Sequence, residues 1–235
     1  MCVIAICEKR KLTKKETLAM WTVNHHGAGV AWASKGLVKF RKGFMTYKDF
    51  SKFYFSMTLP FPHIVHFRIS TAGGVVPELT HPFPCSKNAE TMLSYSGPAS
   101  VLFQNGVLRD WAVYVTTIAK ATDQPLVGPV SDSRVLALIK YYVPSILPDI
   151  SPGKLAILNH IGKVETQGDF ENIEGGIRVS NRYWAYKAPA RGEFDTRLIC
   201  PSSAYSLGWA EEQRRADVAR SLGKEWDTLG VYYGD

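Results

Sequence analysis

The chain has 235 residues, of which 46% are hydrophobic and 12% aromatic, and its formal charge is +7. This composition is typical of a globular protein with its own core, in one large domain or at most two small ones. No apolar run approaches ~18 residues and no basic segment precedes the N-terminal apolar run, so the sequence predicts neither a membrane span nor a signal peptide.

Cysteine spacing and clustered charge limit the function classes further. The cysteines are Cys2, Cys7, Cys85 and Cys200. Without CxxC spacing they predict neither a metal site nor a disulfide framework, and we expect a cytoplasmic protein. Positive charge clusters at residues 9–11, 14–15, 39–42 and 214–215. No nucleic-acid motif accompanies it, so we interpret it as solvated surface and keep direct nucleic-acid binding as the lesser alternative.

The N-terminal half is predicted to alternate between strands and helices. Residues 1–7 form an uncharged, β-branched run, which is typical of a strand buried on both faces. Thr13 and Glu16 have capping-box spacing, which predicts the start of a helix. Residues 35–36 predict a hairpin turn. Further along this half we predict a helix with an aromatic face at residues 47–54 and a strand at 63–71. Two strands, separated by a break, are predicted within residues 91–104.

The C-terminal half begins with two predicted helices, at residues 109–122 and 131–146. Ser131 is a suitable N-cap, and Asp132 suits the positive end of the helix dipole. Short strands and a last helix follow, at residues 154–159, 162–167, 176–180 and 208–222. Strands, then helices, then strands again predict a single α+β domain over residues 1–235.

Cys2 and Arg68 are the first candidates for chemistry. If Met1 is removed, the Cys2 thiol lies beside its own α-amino group, which titrates near pH ~8 and is a usable base. Alone, this pattern fits a small hydrophobe in a buried strand better than a nucleophile. Arg68 lies on an apolar strand, so its guanidinium either holds a carboxylate or forms an edge-strand salt bridge.

Asn105-Gly106 and Asp132 are the next candidates. At a strand end, an amide side chain and a backbone N–H form either an oxyanion hole or a simple hairpin turn. Asp132 either receives an ammonium group or stabilises its own helix. His63 and His66 point to opposite faces of a strand, so they do not predict a metal pair.

Together and in this order, these features resemble the glutaminase domain of the class II glutamine amidotransferases, a group of N-terminal nucleophile hydrolases. The resemblance covers about residues 1–185, with 186–235 as a C-terminal extension. Its motifs are MCVI (1–4), NHHGAGVAW (24–32), HFRISTAG (66–73), THPF (80–83), QNGV (104–107) and SDSRVL (131–136). GDF at 168–170 and SN at 180–181 also resemble the closing strands of small stand-alone or phage-type members. The resemblance implies a four-layer αββα sandwich of two mostly antiparallel sheets.

The resemblance also implies a reaction centre. Met1 would be removed, and Cys2 would attack the side-chain amide of glutamine with its α-amino group shuttling the proton. Asn105 (side chain) and Gly106 (backbone N–H) match the oxyanion hole. A γ-glutamyl thioester would form, ammonia would leave, and water would release glutamate. Neither a metal nor an organic cofactor is implied.

Substrate recognition is implied by a second set of matches. Arg68 matches the residue that holds the substrate α-carboxylate, and Asp132 matches the acid that receives the α-amino group. Thr71 and Gly73 match the loop that lines the pocket. Five positions depart from the family pattern: Val3, His26, Ile69, Gln104 and Arg134.

Released ammonia needs an acceptor, and only about fifty residues follow the matched region. We therefore expect a separate synthetase or nucleotide-modifying enzyme as partner, with the basic C-terminal helix as a possible contact. Two other functions stay open. One is hydrolysis of another amide, such as a γ-glutamyl or acyl amide, and the other is a non-catalytic binding protein that retains the fold.

Overall fold

The computed structural model describes residues 2–71, 73–123, 125–150 and 153–186. The strands are β1 (Val3–Cys7), β2 (Ala28–Ser34), β3 (Leu37–Phe44), β4 (His63–Phe67), β5 (Phe83–Pro84), β6 (Ser94–Gly97), β7 (Val101–Asn105), β8 (Lys154–Leu158), β9 (Val164–Gln167), β10 (Glu171–Ile173) and β11 (Ile177–Val179). The helices are α1 (Lys14–Val23), α2 (Tyr47–Ser56), α3 (Trp111–Thr122), α4 (Asp132–Tyr142), α5 (Leu147–Ile150) and α6 (Tyr183–Tyr186). Within these ranges, no helix is long and apolar enough to cross a membrane.

Two antiparallel sheets form the centre of the described residues. The larger sheet has seven strands there, in the order β10-β11-β1-β4-β2-β3-β6, and the smaller has four, in the order β5-β7-β8-β9. In the larger sheet β1 lies between β11 and β4, with Val3 opposite Phe67 and Ala5 opposite Val179. In the smaller sheet β7 pairs with β8, so that Asn105 lies opposite Lys154. The first strand is therefore interior, as its uncharged sequence predicted.

Alternate residues of β1 face two different apolar layers. Val3 and Ala5 pack with residues of α1 and α2 on the outer face of the larger sheet. Ile4 and Ile6 pack between the two sheets. A third cluster joins the outer face of the smaller sheet to α3 and α4 through Leu102, Leu155, Ile157, Val115, Leu136 and Ile139. The three apolar layers separate four layers of secondary structure: helices, the larger sheet, the smaller sheet and helices. This αββα sandwich confirms the predicted fold class.

Local sequence signals account for several helix starts. Thr13 Oγ1 accepts from Glu16 N at 3.2 Å and Glu16 Oε2 accepts from Thr13 N at 2.7 Å, so the predicted capping box is present. Ser131 Oγ accepts from Arg134 N at 3.3 Å at the start of α4. The Lys35-Gly36 turn joins β2 to β3 with Lys35 at φ 54° and Gly36 at φ 73°, as the hairpin signal predicted.

Several predicted boundaries were wrong. The strand predicted over 63–71 ends at Phe67, where the chain turns into an irregular loop. The helix predicted over 131–146 ends at Tyr142, before Pro144, because proline disfavours helical backbone in the preceding residue. Strand β10 was not predicted, because its short polar sequence has no apolar alternation. The helix predicted at 208–222 lies outside the described residues.

Arg134 is buried and structural. The sequence placed its cation in a first turn, against the helix dipole. The guanidinium instead donates to four backbone carbonyls, those of Asn88, Ala89, Val127 and Pro129, at 2.8–3.0 Å. Burial lowers the pKa of Arg134 to about 10. Its side chain therefore fastens two loops to the start of α4.

We predict that Arg134→Lys lowers the free energy of unfolding by about 2–4 kcal/mol, because an ammonium group cannot reproduce a planar fork of donors to four carbonyls. Urea unfolding followed by circular dichroism measures the change. Arg182→Lys is the matched control, since Arg182 is exposed. An Arg134→Lys protein as stable as this control would contradict the assignment.

Candidate active site

Pairing of β1 with β4 places Cys2 against the backbone that follows β4. Val3 lies opposite Phe67, so Cys2 comes next to the Arg68–Ile69 segment. The Cys2 thiol donates to the Ile69 carbonyl at 3.3 Å and accepts from the Ile69 N–H at 3.4 Å. Cys2 is partly exposed, whereas Cys7 is fully buried. Cys2, which precedes β1, and Cys7, which ends it, therefore have different environments.

Burial raises the pKa of the Cys2 thiol, and the Ile69 N–H, followed by the Arg68 charge, opposes that shift. The raised pKa favours a protonated thiol at neutral pH. A thiol is a poor nucleophile until a base removes its proton. Nucleophilic use of Cys2 therefore requires a base next to the sulfur.

Arg68 is 3% exposed and is enclosed by the loop that follows it. Its Nη1 donates to the Gly74 carbonyl at 2.9 Å and its Nη2 to Ser70 Oγ at 3.0 Å. Ser70 Oγ in turn donates to the Gly73 carbonyl at 2.8 Å. Because β4 lies between β1 and β2, the edge-strand interpretation of Arg68 is wrong.

Gly73 and Thr71 lie in the same loop. Gly73 has φ 70°, and a Cβ at this position would be 2.7 Å from the Val130 carbonyl oxygen. Glycine therefore lets the loop approach the residues just before α4. Thr71 is exposed. The pocket-lining role of both residues stays a prediction.

Asn105 is the last residue of β7, in the smaller sheet, and is 6% exposed. Its side-chain Nδ2 donates to Ser180 Oγ at 2.9 Å. The chain runs from Asn105-Gly106 into α3, and the next strand along the chain, β8, begins only after α4. The hairpin interpretation of Asn105-Gly106 is therefore wrong, whereas the oxyanion-hole role stays a prediction.

Asp132 is the first residue of α4 and is 4% exposed. Its Oδ1 accepts from Ser133 N at 2.8 Å, and its Oδ2 accepts from Leu108 N at 2.9 Å. Burial raises the pKa of this carboxyl, and the hydrogen bonds from Leu108 and Ser133 and the Arg68 charge oppose that shift. Asp132 thus accepts a hydrogen bond from the first turn of its own helix and also holds the loop after Asn105-Gly106.

Electrostatic coupling links three of the predicted residues. The charge of Arg68 lowers the pKa of both Cys2 and Asp132, and the charge of Asp132 raises that of Cys2. A thiol, a cation and an anion therefore lie close enough to influence one another. Opposite charges near a thiol are suited to a zwitterionic substrate.

Ser180 and Asn181 also belong to this site, although the sequence assigned them no role. Asn181 Nδ2 donates to the Cys2 carbonyl at 2.7 Å, and Ser180 Oγ accepts from Ile4 N at 3.0 Å. In the sequence, these two residues were noted only as the SN motif of the family resemblance. Local periodicity could not predict their contacts, because the contacts join residues more than 170 positions apart.

A pair of buried histidines lies beneath the site, between the two sheets. His66 Nε2 donates to the Gln104 carbonyl at 3.1 Å, and the centroids of the His66 and His81 rings are 4.0 Å apart. Burial lowers the pKa of His66 to about 3 and that of His81 well below its usual value, and the nearby Arg68 charge lowers both further. His66 Nδ1 and both His81 ring nitrogens have no hydrogen-bond partner among the described residues. The pair is therefore neutral in the folded protein.

Similarity to known proteins is found among solved structures. No family model matches the sequence, and no curated protein matches it. One solved structure, described as the structure of the allosteric regulatory enzyme of purine biosynthesis, matches with 18% identity and a TM-score of 0.44. The match covers 71% of this chain and 48% of that one, so this chain spans about half the length of that protein. Similarity at this level assigns no activity.

We predict that acid destabilises the protein between pH 6.5, the ordinary pKa of histidine, and about 3, the pKa of folded His66. In this window the unfolded chain binds a proton that the folded His66 does not, so the free energy of unfolding falls as the pH falls. Each proton that only the unfolded chain binds lowers the free energy of unfolding by about 1.4 kcal/mol for each pH unit of acidification. Urea unfolding at successive pH values measures the slope.

His66→Gln should reduce that slope, even if the variant is less stable at every pH. His160→Gln is the matched control, because His160 is exposed, and it should leave the slope unchanged. An equal slope in the His66→Gln variant and the unchanged protein would show that His66 is not the buried neutral group.

Proposed function

We propose that the chain is a glutaminase of the class II glutamine amidotransferase type, with Cys2 as its nucleophile. The supporting observation is that the charges of a buried guanidinium and a buried carboxylate, those of Arg68 and Asp132, both act on the Cys2 thiol. This arrangement fits an amino acid whose two charged groups are held while its side chain is presented to the thiol. The sequence resemblance supports the same roles.

Substrate binding uses the two buried charges. The guanidinium of Arg68 receives the α-carboxylate, for which a planar fork of donors is well suited. The carboxylate of Asp132 receives the α-ammonium group. Backbone N–H groups of Leu108 and Ser133 hold each Asp132 oxygen in place, so its charge is oriented before the substrate arrives. Thr71 and Gly73 line the pocket in this proposal.

The first half-reaction forms a thioester. Removal of Met1 gives Cys2 a free α-amino group, which takes the thiol proton as the sulfur attacks the side-chain carbonyl carbon of glutamine. A cysteine thiol is mostly protonated at neutral pH, so the attack needs this base. Asn105 Nδ2 and the Gly106 N–H bind the oxyanion. The carbon–nitrogen bond then breaks, and the proton held by the amine leaves with ammonia.

The second half-reaction restores the enzyme. The α-amino group takes a proton from water, whose oxygen attacks the thioester carbon. The carbon–sulfur bond breaks, the sulfur regains a proton, and glutamate leaves. A separate synthetase or nucleotide-modifying enzyme uses the ammonia in this proposal.

Cys2→Ala should abolish glutamate release from glutamine, because no other group supplies the attacking atom. We expect turnover to fall by about 10⁴-fold or more, the scale seen when a covalent nucleophile is removed. A coupled glutamate dehydrogenase assay measures it. Cys85→Ala is the matched cysteine control and should retain activity. Residual turnover within tenfold in Cys2→Ala would refute the mechanism, and a wild-type protein that does not hydrolyse glutamine would favour a binding protein.

Asp132→Asn should remove the preference for a substrate with an α-ammonium group. We expect KM for glutamine to rise about tenfold or more, since a hydrogen bond to a charged group contributes about 1.5–3 kcal/mol. Glutaric acid monoamide lacks the ammonium group, and its KM should change little. Asp169→Asn is the control, because Asp169 is exposed.

A loss of equal size for glutamine and glutaric acid monoamide would show that Asp132 only stabilises its helix. The same assay, extended to γ-glutamyl amides with larger leaving groups, separates a glutaminase from a hydrolase of another amide. A glutaminase prefers the unsubstituted amide, whereas a substrate with a larger amine that is turned over faster would identify the alternative.

A further inference from the structure

Ser180 occupies a junction between the two sheets. It follows β11 directly and is fully buried. Its backbone N–H donates to the Ile4 carbonyl at 2.9 Å, and its Oγ accepts from the Ile4 N–H at 3.0 Å. The same Oγ accepts from Asn105 Nδ2 at 2.9 Å. One hydroxyl therefore joins the strand that begins at the nucleophile to the side chain proposed for the oxyanion hole.

Neighbouring contacts hold this hydroxyl in place. Lys154, which lies opposite Asn105 in the smaller sheet, donates from Nζ to the Ser180 carbonyl at 2.6 Å. Asn181 donates to the Cys2 carbonyl at 2.7 Å, and its Oδ1 accepts from Tyr183 N at 3.2 Å. The Asn181 amide is thus oriented at both ends. Residues 180–181 contact both Cys2 and Asn105.

We infer that Ser180 and Asn181 are positioning residues for the proposed reaction, and this inference rests on the proposed function. A primary amide has two N–H bonds in one plane. When Ser180 Oγ binds one Nδ2 hydrogen of Asn105, it fixes the amide plane and hence the direction of the other hydrogen. That second hydrogen is the one available to the oxyanion. Asn181 fixes the carbonyl of the residue that carries the attacking sulfur.

This arrangement matters most in the transition state. An oxyanion donor contributes where negative charge develops, and it contributes less to binding the ground-state amide. Misplacement of a catalytic group by about 1 Å costs as much as 100-fold in rate. Loss of the Ser180 hydroxyl should therefore lower kcat and leave KM nearly unchanged. A general loss of folded protein would instead lower the concentration of active enzyme, which active-site titration detects.

Ser180→Ala tests this directly. We expect kcat for glutamine hydrolysis to fall about 10- to 100-fold with KM within twofold. Thr17→Val is the matched control, because Thr17 is also fully buried and its hydroxyl bonds Thr13 O, Lys14 O and Tyr47 OH, away from Cys2. It should lose stability but keep kcat. Active-site titration with an electrophilic glutamine analogue corrects each preparation for folded enzyme.

A double-mutant cycle isolates the Ser180–Asn105 contact. Asn105→Ala removes the amide that Ser180 orients, so Ser180→Ala in that background should lower kcat by no more than about twofold. Asn181→Asp is an independent variant that keeps an oxygen for Tyr183 N but cannot donate to the Cys2 carbonyl, and its kcat should also fall with little change in KM. This variant decides the matter if Ser180→Ala does not fold.

The outcomes separate this inference from the proposed function. Active wild-type enzyme with unchanged kcat in Ser180→Ala and Asn181→Asp would overturn the positioning role and leave the glutaminase in place. Additive losses in the double-mutant cycle would show that Ser180 acts through the fold and not through Asn105. Wild-type protein without glutaminase activity would overturn the proposed function and the positioning role together.

Discussion

The antiparallel pairing of β1 with β4 determines what the rest of the site can do. The register that sets Val3 opposite Phe67 brings Cys2 to the backbone of Arg68 and Ile69. Side chains alternate along a strand, so a slip by one residue would exchange the faces of the whole of β1. A slip would put Ile4 and Ile6 into the layer that packs the smaller Val3 and Ala5, and a close-packed core disfavours such a change in side-chain volume. Core packing thus fixes the position of the thiol.

The second sheet completes the arrangement across the central apolar layer. It brings Asn105 to the level of Ile4 through the Ser180 hydroxyl, and helix α4 brings Asp132 to the loop that follows Asn105. Each proposed group is held by backbone hydrogen bonds or by a buried side chain, so little reorganisation accompanies substrate binding. The four residues proposed to carry the chemistry come from four secondary-structure junctions: the start of β1, the end of β4, the end of β7 and the start of α4.

The sequence predicted the elements well where pattern and chemistry agree. Uninterrupted apolar residues predicted β1, a capping box predicted α1, and an N-cap serine predicted α4. Residue identity also indicated Arg68 and Asp132 as charges that need a partner. It could not show that Arg68 directly follows an interior strand, that Arg134 binds four carbonyls, or that Ser180 contacts Ile4. Those facts depend on strand order and on contacts between distant residues, which local periodicity does not encode.

Mapping the N-terminus after labelling tests most directly whether Cys2 is the nucleophile. The protein would be incubated with an electrophilic glutamine analogue, with and without excess glutamine, and its peptides analysed by mass spectrometry. The mechanism predicts a terminal peptide that begins at Cys2 and carries the label, with glutamine protecting it and Cys7, Cys85 and Cys200 unmodified. A terminal peptide that retains Met1 and carries no label would contradict it.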